Sequence, residues 1–184
     1  MEQNPWITKK SEPVYESPWI KVVKHDVLNP AGKPATYSVV NFKNLAIGVL
    51  PIDNELNTWL VGQWRYPIDE YSWEIPEGGG ILHVDPIESA KRELKEETGI
   101  IAKNYKEIMR LHLSNSATDE LAIVYVATGL TFEESEPEES EVLQIKKLPF
   151  NEAYQWVMDG KITDGITVAA VLKMKILLDN GFRP

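Results

Sequence analysis

The sequence predicts an α/β fold in which a mixed β-sheet carries helices on both sides and an antiparallel β-hairpin extension precedes it. Three observations predict it: apolar runs of strand length recur between residues 45 and 148, one firmly capped helix interrupts them at 85–99, and two helical stretches close the chain. The 184 residues, 43% of them hydrophobic, can bury roughly 70% of the unfolded surface, which suits one domain with an appendage. Residues 1–43 form the appendage and residues 44–184 the main domain.

Residues 13–29 and 35–42 are rich in β-formers and flank Asn29-Pro30-Ala31-Gly32-Lys33-Pro34, a turn-forming stretch that predicts the hairpin. Residues 45–52 and 58–66 predict a second hairpin around Asp53-Asn54-Glu55-Leu56-Asn57, and their continuous apolar character is that of strands covered on both faces. A short strand follows at 71–75, with Trp64 and Trp73 expected in the core. After the helix come strands at 105–113 and 121–128, an acidic loop, and a strand at 142–148. The closing helices are expected at 151–158, capped by Asn151, and at 166–178, ended by Asn180-Gly181.

The helix at 85–99 carries the most informative pattern. Asp85-Pro86-Ile87-Glu88 reads as an N-cap, a proline at the first helical position and a capping-box glutamate, while Gly99 supplies the stop. Ile87, Ala90, Leu94 and Thr98 form a stripe able to pack on a sheet, about 100° around the axis from a second face, so core and chemistry are expected on different sides. That second face holds Glu93, Glu96 and Glu97 at i, i+3 and i+4. At a spacing of about 6 Å, each like-charge pair costs roughly 0.7 kcal/mol in water and about 3 at an effective dielectric of 20. A hard divalent cation removes that cost, because Mg²⁺ takes oxygen ligands and commonly bridges carboxylates to substrate phosphates. A solvated acidic face is the commonplace alternative.

The residues upstream favour the metal. Counting back from Arg92 to Gly78, the segment resembles the Nudix box, G-x5-E-x7-R-E-U-x-E-E-x-G-U with U aliphatic, and eight of its nine fixed positions fit. Val84 stands where the box has its first glutamate, and His83 where a glycine is usual. In the family that glutamate mainly supports the loop and helix, so the departure bears on loop stability, with Asp85 and Glu88 as replacement capping. The resemblance implies a Nudix α/β/α sandwich and hydrolysis of a nucleoside diphosphate linked to another group.

Further segments narrow the substrate class. Gly62-Gln63-Trp64-Arg65-Tyr66-Pro67, Trp73-Glu74-Ile75-Pro76-Glu77-Gly78 and Thr163-Asp164-Gly165-Ile166-Thr167 are similar to stretches of ADP-ribose and nucleoside diphosphate sugar pyrophosphatases. Ser114-Asn115-Ser116-Ala117-Thr118-Asp119-Glu120 occupies the place of their Ser-Pro-Gly-x-Ser-Asp-Glu loop without its proline and glycine, which makes Glu120 a substrate candidate. The resemblance implies that Glu93, Glu96, Glu97 and the backbone carbonyl of Glu77 hold Mg²⁺, or Mn²⁺ in its place. Arg65 would hold a diphosphate oxygen, Arg92 would orient Glu96, and Glu74 would contact ribose or a partner subunit, with a structural ion pair as its alternative. The general base is expected in the loop at 132–141, with Glu141 first and Glu139 second. Trp6 and Trp19 are candidates for stacking on a base, with sheet packing or a dimer contact as alternatives. The aromatic N-terminal extension, together with the resemblance, implies a homodimer.

Composition excludes several classes. A net charge of -9 and a pI near 4.9 disfavour nucleic acid, and no apolar run reaches membrane-spanning length. The absence of cysteine excludes disulfides and thiolate metal sites, and no apolar N-terminal stretch suggests a signal peptide, so a cytoplasmic location is expected. The leading expectation is a Mg²⁺-dependent pyrophosphatase acting on nucleoside diphosphate sugars. Cleansing of oxidised nucleoside triphosphates and a non-catalytic nucleotide-sugar sensor remain open beside it.

Overall fold

The structure is a computed structural model that describes residues 3–135 and 142–184. It resolves into two compact units, one built from the chain up to Asn44 with His112–Leu121, the other from Leu45–Leu111 and Ala122–Pro184.

In the first unit, β1 (Ile7–Glu16), β2 (Ile20–Leu28) and β3 (Pro34–Phe42) form an antiparallel sheet in that order. The hairpin expected there is thus three strands. The run at 13–29 is broken at Ser17-Pro18, where the Ser17 hydroxyl accepts the Trp19 and Ile20 amides at 3.2 Å and the Ser17 amide donates to Ile20 O at 2.9 Å. The segment 114–120 is knitted to β3: Asp119 accepts from Asn41 Nδ2 at 2.7 Å and from the Phe42 amide at 2.8 Å.

In the second unit, β4 (Asn44–Pro51), β7 (Glu77–Ile81), β8 (Ile100–His112) and β9 (Leu121–Phe132) make a four-stranded sheet ordered β7-β4-β9-β8, with β4 and β9 parallel. A second sheet, ordered β10-β5-β6, is antiparallel and consists of β5 (Asn57–Arg65), β6 (Glu70–Glu74) and β10 (Gln144–Pro149). The second hairpin expected from sequence is therefore corrected. The turn is real, since Asp53 Oδ1 accepts the Glu55 and Asn57 amides, but β4 and β5 share a bridge at Ile52 and Thr58 and then enter different sheets. Apolar residues on both faces of each strand allow either pairing, and the sheets choose.

Helices α1 (Pro86–Thr98), α2 (Phe150–Met158) and α3 (Gly165–Asp179) complete the unit. α1 packs against β7, while α2 packs on β5, β10 and α3. Leu50, Leu60, Val124, Phe150, Ile162, Val171 and Met174 are fully or almost fully buried in one cluster, the main apolar contribution to stability. Asn151 is not the cap of α2; Pro149 holds that position without a side-chain bond. Trp73 packs against the core, but Trp64, near the end of β5, is 60% exposed and donates from Nε1 to Asp69 at 3.2 Å. Among the described residues, no helix is long and apolar enough to cross a membrane.

Candidate active site

The glutamate helix begins as its sequence dictates. Asp85 Oδ1 accepts the Ile87 amide at 3.1 Å, Pro86 opens the helix, and Gly99 closes it in the left-handed conformation at φ 69°. Glu88 does not return to the cap; its carboxylate pairs with Lys91 at 2.7 Å. His83 has φ 71°, the left-handed region that glycine enters at least cost, so a non-glycine residue holds a strained backbone position in this loop.

The glutamate face is not on the solvent side. Ala90 and Leu94 are fully buried, as the apolar stripe requires, yet Glu93 is only 7% exposed and Glu97 only 2%. Both lie against the glycine-rich β7. A side chain at Gly78 would place Cβ 2.2 Å from the Glu93 carboxyl carbon, so glycine there is what admits that carboxylate. Glu97 Oε2 accepts the Glu77 amide at 3.0 Å. Arg92 ties the helix to the glycines: it donates to Glu96 at 2.7 Å and to Gly79 O at 2.9 Å, and also pairs with Glu93.

A second acidic group lies at the other end of the Glu-x-Pro-x-Gly stretch. Carboxylate oxygens of Glu74, Glu77 and Asp164 all lie within 4.8 Å of one another. Arg65 Nε donates to both Glu74 oxygens, at 2.9 and 3.1 Å, and Nη2 reaches Glu74 and, at 2.9 Å, Glu77 Oε1. Glu74 is 2% exposed, so in this structure it makes the ion pair that sequence reading held as the alternative to a ribose contact. Its bonds to Glu74 hold the Arg65 guanidinium firmly protonated. Burial, reinforced by the charges of Asp164 and Glu74, pushes the Glu77 carboxyl well above the ordinary carboxylate range. Among the described residues, Glu77 Oε2 is buried without a hydrogen-bond partner.

Other sequence-derived candidates fall in the first unit. Trp6 stands edge-on to Tyr37, ring centres 5.4 Å apart, and lines a cavity of about 330 Å³ with His25, Val27 and Val39. Trp19 is 68% exposed, and Glu120 is half-buried, with burial raising its carboxyl. Glu139 and Glu141 lie outside the described residues. Sequence reasoning missed Asp164 as a member of the acidic group. The available signal was Asp164 at a helix N-cap, where its Oδ2 accepts the Thr167 amide at 2.7 Å.

Comparison with known proteins bears on this geometry. The NUDIX domain model matches residues 42–166, and the model for the nucleoside diphosphate sugar hydrolase N-terminal domain matches residues 3–40. The chain is 31% identical over 171 residues to a methanol dehydrogenase activator of Bacillus methanolicus, covering 92% of each chain. It is 30% identical to an ADP-ribose pyrophosphatase of Mycobacterium tuberculosis, over 94% of this chain and 84% of the relative, and 28% identical to one of Bacillus subtilis, over 92% of each. A solved structure of an ADP compounds hydrolase superimposes with a TM-score of 0.86 over 98% of both chains at 21% identity, which establishes the shared fold. With most of the box present and the family model spanning more than half of the sequence, this chain belongs to the Nudix hydrolase family.

Proposed function

We propose that this protein hydrolyses the pyrophosphate bond of nucleoside diphosphate sugars, ADP-ribose among them, to a nucleoside monophosphate and a sugar phosphate. The observation that carries the reading is the packing of Glu93 and Glu97 onto the Glu77-Gly78 backbone. Matches to the nucleoside diphosphate sugar hydrolase N-terminal model and to two ADP-ribose pyrophosphatases support the substrate class.

The residues fit a hard divalent cation. Every side-chain donor on that helix face is a carboxylate oxygen, and two of the three carboxylates are buried beside the glycine-rich β7, the donor chemistry that Mg²⁺ or Mn²⁺ takes. Glu93, Glu96, Glu97 and the Glu77 carbonyl would hold it. When bound, it neutralises diphosphate charge and activates water. Arg92, one turn from Glu96, keeps the carboxylates and β7 in register. Arg65, bound to Glu74 and Glu77, keeps 36% of its side chain exposed and would donate to a diphosphate oxygen. A glutamate of the acidic loop, Glu141 ahead of Glu139, would take the proton of the attacking water. In the first unit, Trp6 or Trp19 would stack on the base, and Glu120 would read the sugar side.

The protein is also proposed to act as a cytoplasmic homodimer. All ten residues of β1 are exposed and the strand lies at the edge of its sheet, so among the described residues it has no strand on its outer side. A second copy would cover them, and a monomeric mass at micromolar concentration would overturn that assembly.

The test of function is a panel of nucleotide sugars and oxidised nucleoside triphosphates incubated with Mg²⁺. Release of sugar phosphate from the nucleotide sugars is expected. Release of pyrophosphate from the triphosphates alone would favour the cleansing reading, and tight binding without product would favour a sensor.

A further inference from the structure

The turn that carries Glu77 is held at three successive backbone groups by three different elements. Ile75 donates its amide to the Thr167 hydroxyl of α3 at 3.0 Å, Pro76 O accepts the Val49 amide of β4 at 2.8 Å, and Glu77 donates its amide to Glu97 of α1 at 3.0 Å. The Val49 contact is backbone to backbone, and Glu97 belongs to the helix face already described. Thr167 is different: it is a side chain 92 residues from its partner, wholly buried, and outside both acidic groups.

Its placement is over-determined. Asp164 caps α3 through the Thr167 amide at 2.7 Å. The next residue back, Ile166, reaches into the space left by Gly48, where a Cβ would lie 2.6 Å from the Ile166 side chain and 3.0 Å from that of Ile75. The first turn of α3 is thus pressed onto β4 and onto the Ile75 side chain, and its buried Thr167 hydroxyl meets the Ile75 amide. A backbone amide buried without its acceptor moves or draws in water.

We propose that Thr167 is a positioning residue for the metal site, acting through the Ile75 amide to fix the backbone from which Glu77 meets Glu97. The inference rests on the metal reading given under the proposed function. A residue acting one step behind the donors of a metal site tunes affinity, and losing such a partner costs about 10- to 100-fold.

The test is a Mn²⁺ titration of the full-length protein followed by electron paramagnetic resonance, which reads binding without turnover. Thr167→Val keeps the shape and removes the acceptor, and its Mn²⁺ dissociation constant is expected to rise about tenfold. Thr167→Ser, which keeps the hydroxyl, is expected to match the wild type. Val171→Ala on the same helix lowers the melting temperature through the core and is expected to leave Mn²⁺ binding unchanged. If Thr167→Val does not fold, Thr167→Cys, with a weaker sulfur acceptor, is expected to move the constant the same way by less. Wild-type binding retained by the folded Val or Cys variant would overturn the inference, as would equal weakening in Val171→Ala. A wild-type protein that takes up no Mn²⁺ would instead overturn the metal reading itself, and this inference with it.

Discussion

Two acidic groups, each of three carboxylates around one arginine, flank the Glu74–Gly78 stretch, and they are built in opposite ways. On α1, Glu93, Glu96 and Glu97 come from one helical turn, and Arg92 engages the first two while Glu97 accepts a backbone amide. In the other group, Glu74, Glu77 and Asp164 come from β6, β7 and the cap of α3, and Arg65 saturates Glu74. Glu96 on the helix keeps 34% of its side chain in solvent, whereas Glu74 keeps 2%. The difference separates roles: carboxylates gathered on one helical turn beside the glycine-rich β7, with Glu96 open to solvent, suit a cation and its substrate, and carboxylates brought from three elements, two of them bonded to Arg65, suit a frame.

Three substitutions would sharpen or break that division. Glu97→Gln is expected to have the largest effect, lowering kcat on a nucleotide sugar by about 10³-fold, since metal-borne stabilisation is worth several kcal/mol, while far-UV circular dichroism stays native. Unchanged turnover would remove the helix face from the chemistry. Glu74→Ala should act on stability instead. Leaving Arg65 with Glu77 as its remaining partner costs roughly 2–3 kcal/mol, below the ~3–5 of a fully enclosed pair because Arg65 is partly solvated and still bonded. Urea unfolding measures it, and a loss under about 0.5 kcal/mol would deny the frame its role.

The smallest effect concerns pH. Because the Glu77 carboxyl is pushed up by burial, the folded state binds its proton more tightly than the unfolded chain does. Its stabilising contribution is complete below the unfolded carboxylate range and is lost as pH rises toward the folded value. Glu77→Gln should therefore match the wild-type melting temperature near pH 4 and exceed it by a few degrees above neutrality. A variant less stable than wild type at pH 8 would reverse the sign.

The contrast also explains what could be read in advance. The α1 ridge was legible because helical spacing is local and Asp85, Pro86 and Gly99 mark its ends. The second group was not, because Asp164 meets Glu74 and Glu77 only once α3 docks, and no spacing within one element encodes that meeting. The burial of Glu93 escaped for a related reason: Gly78 is a gap that the carboxylate fills, and a glycine in sequence does not say what fills it. β7 was not foreseen as a strand because Gly78, Gly79 and Gly80 carry no strand preference, although they sit in the sheet beside β4. β4 and β5 were paired because the Asp53–Asn57 turn looks like a hairpin and behaves like one for a single bridge. In the N-terminal unit the composition announced strands, but a serine turn at Ser17 counted for more than the length of the run.

The position of a bound cation decides between the two acidic groups. Crystals soaked with Mn²⁺ and a non-hydrolysable ADP-ribose analogue, measured for anomalous scattering, are expected to give a peak between the α1 glutamates and the Glu77 carbonyl, next to the diphosphate. A peak among Glu74, Glu77 and Asp164 instead, or none at either group, would contradict it.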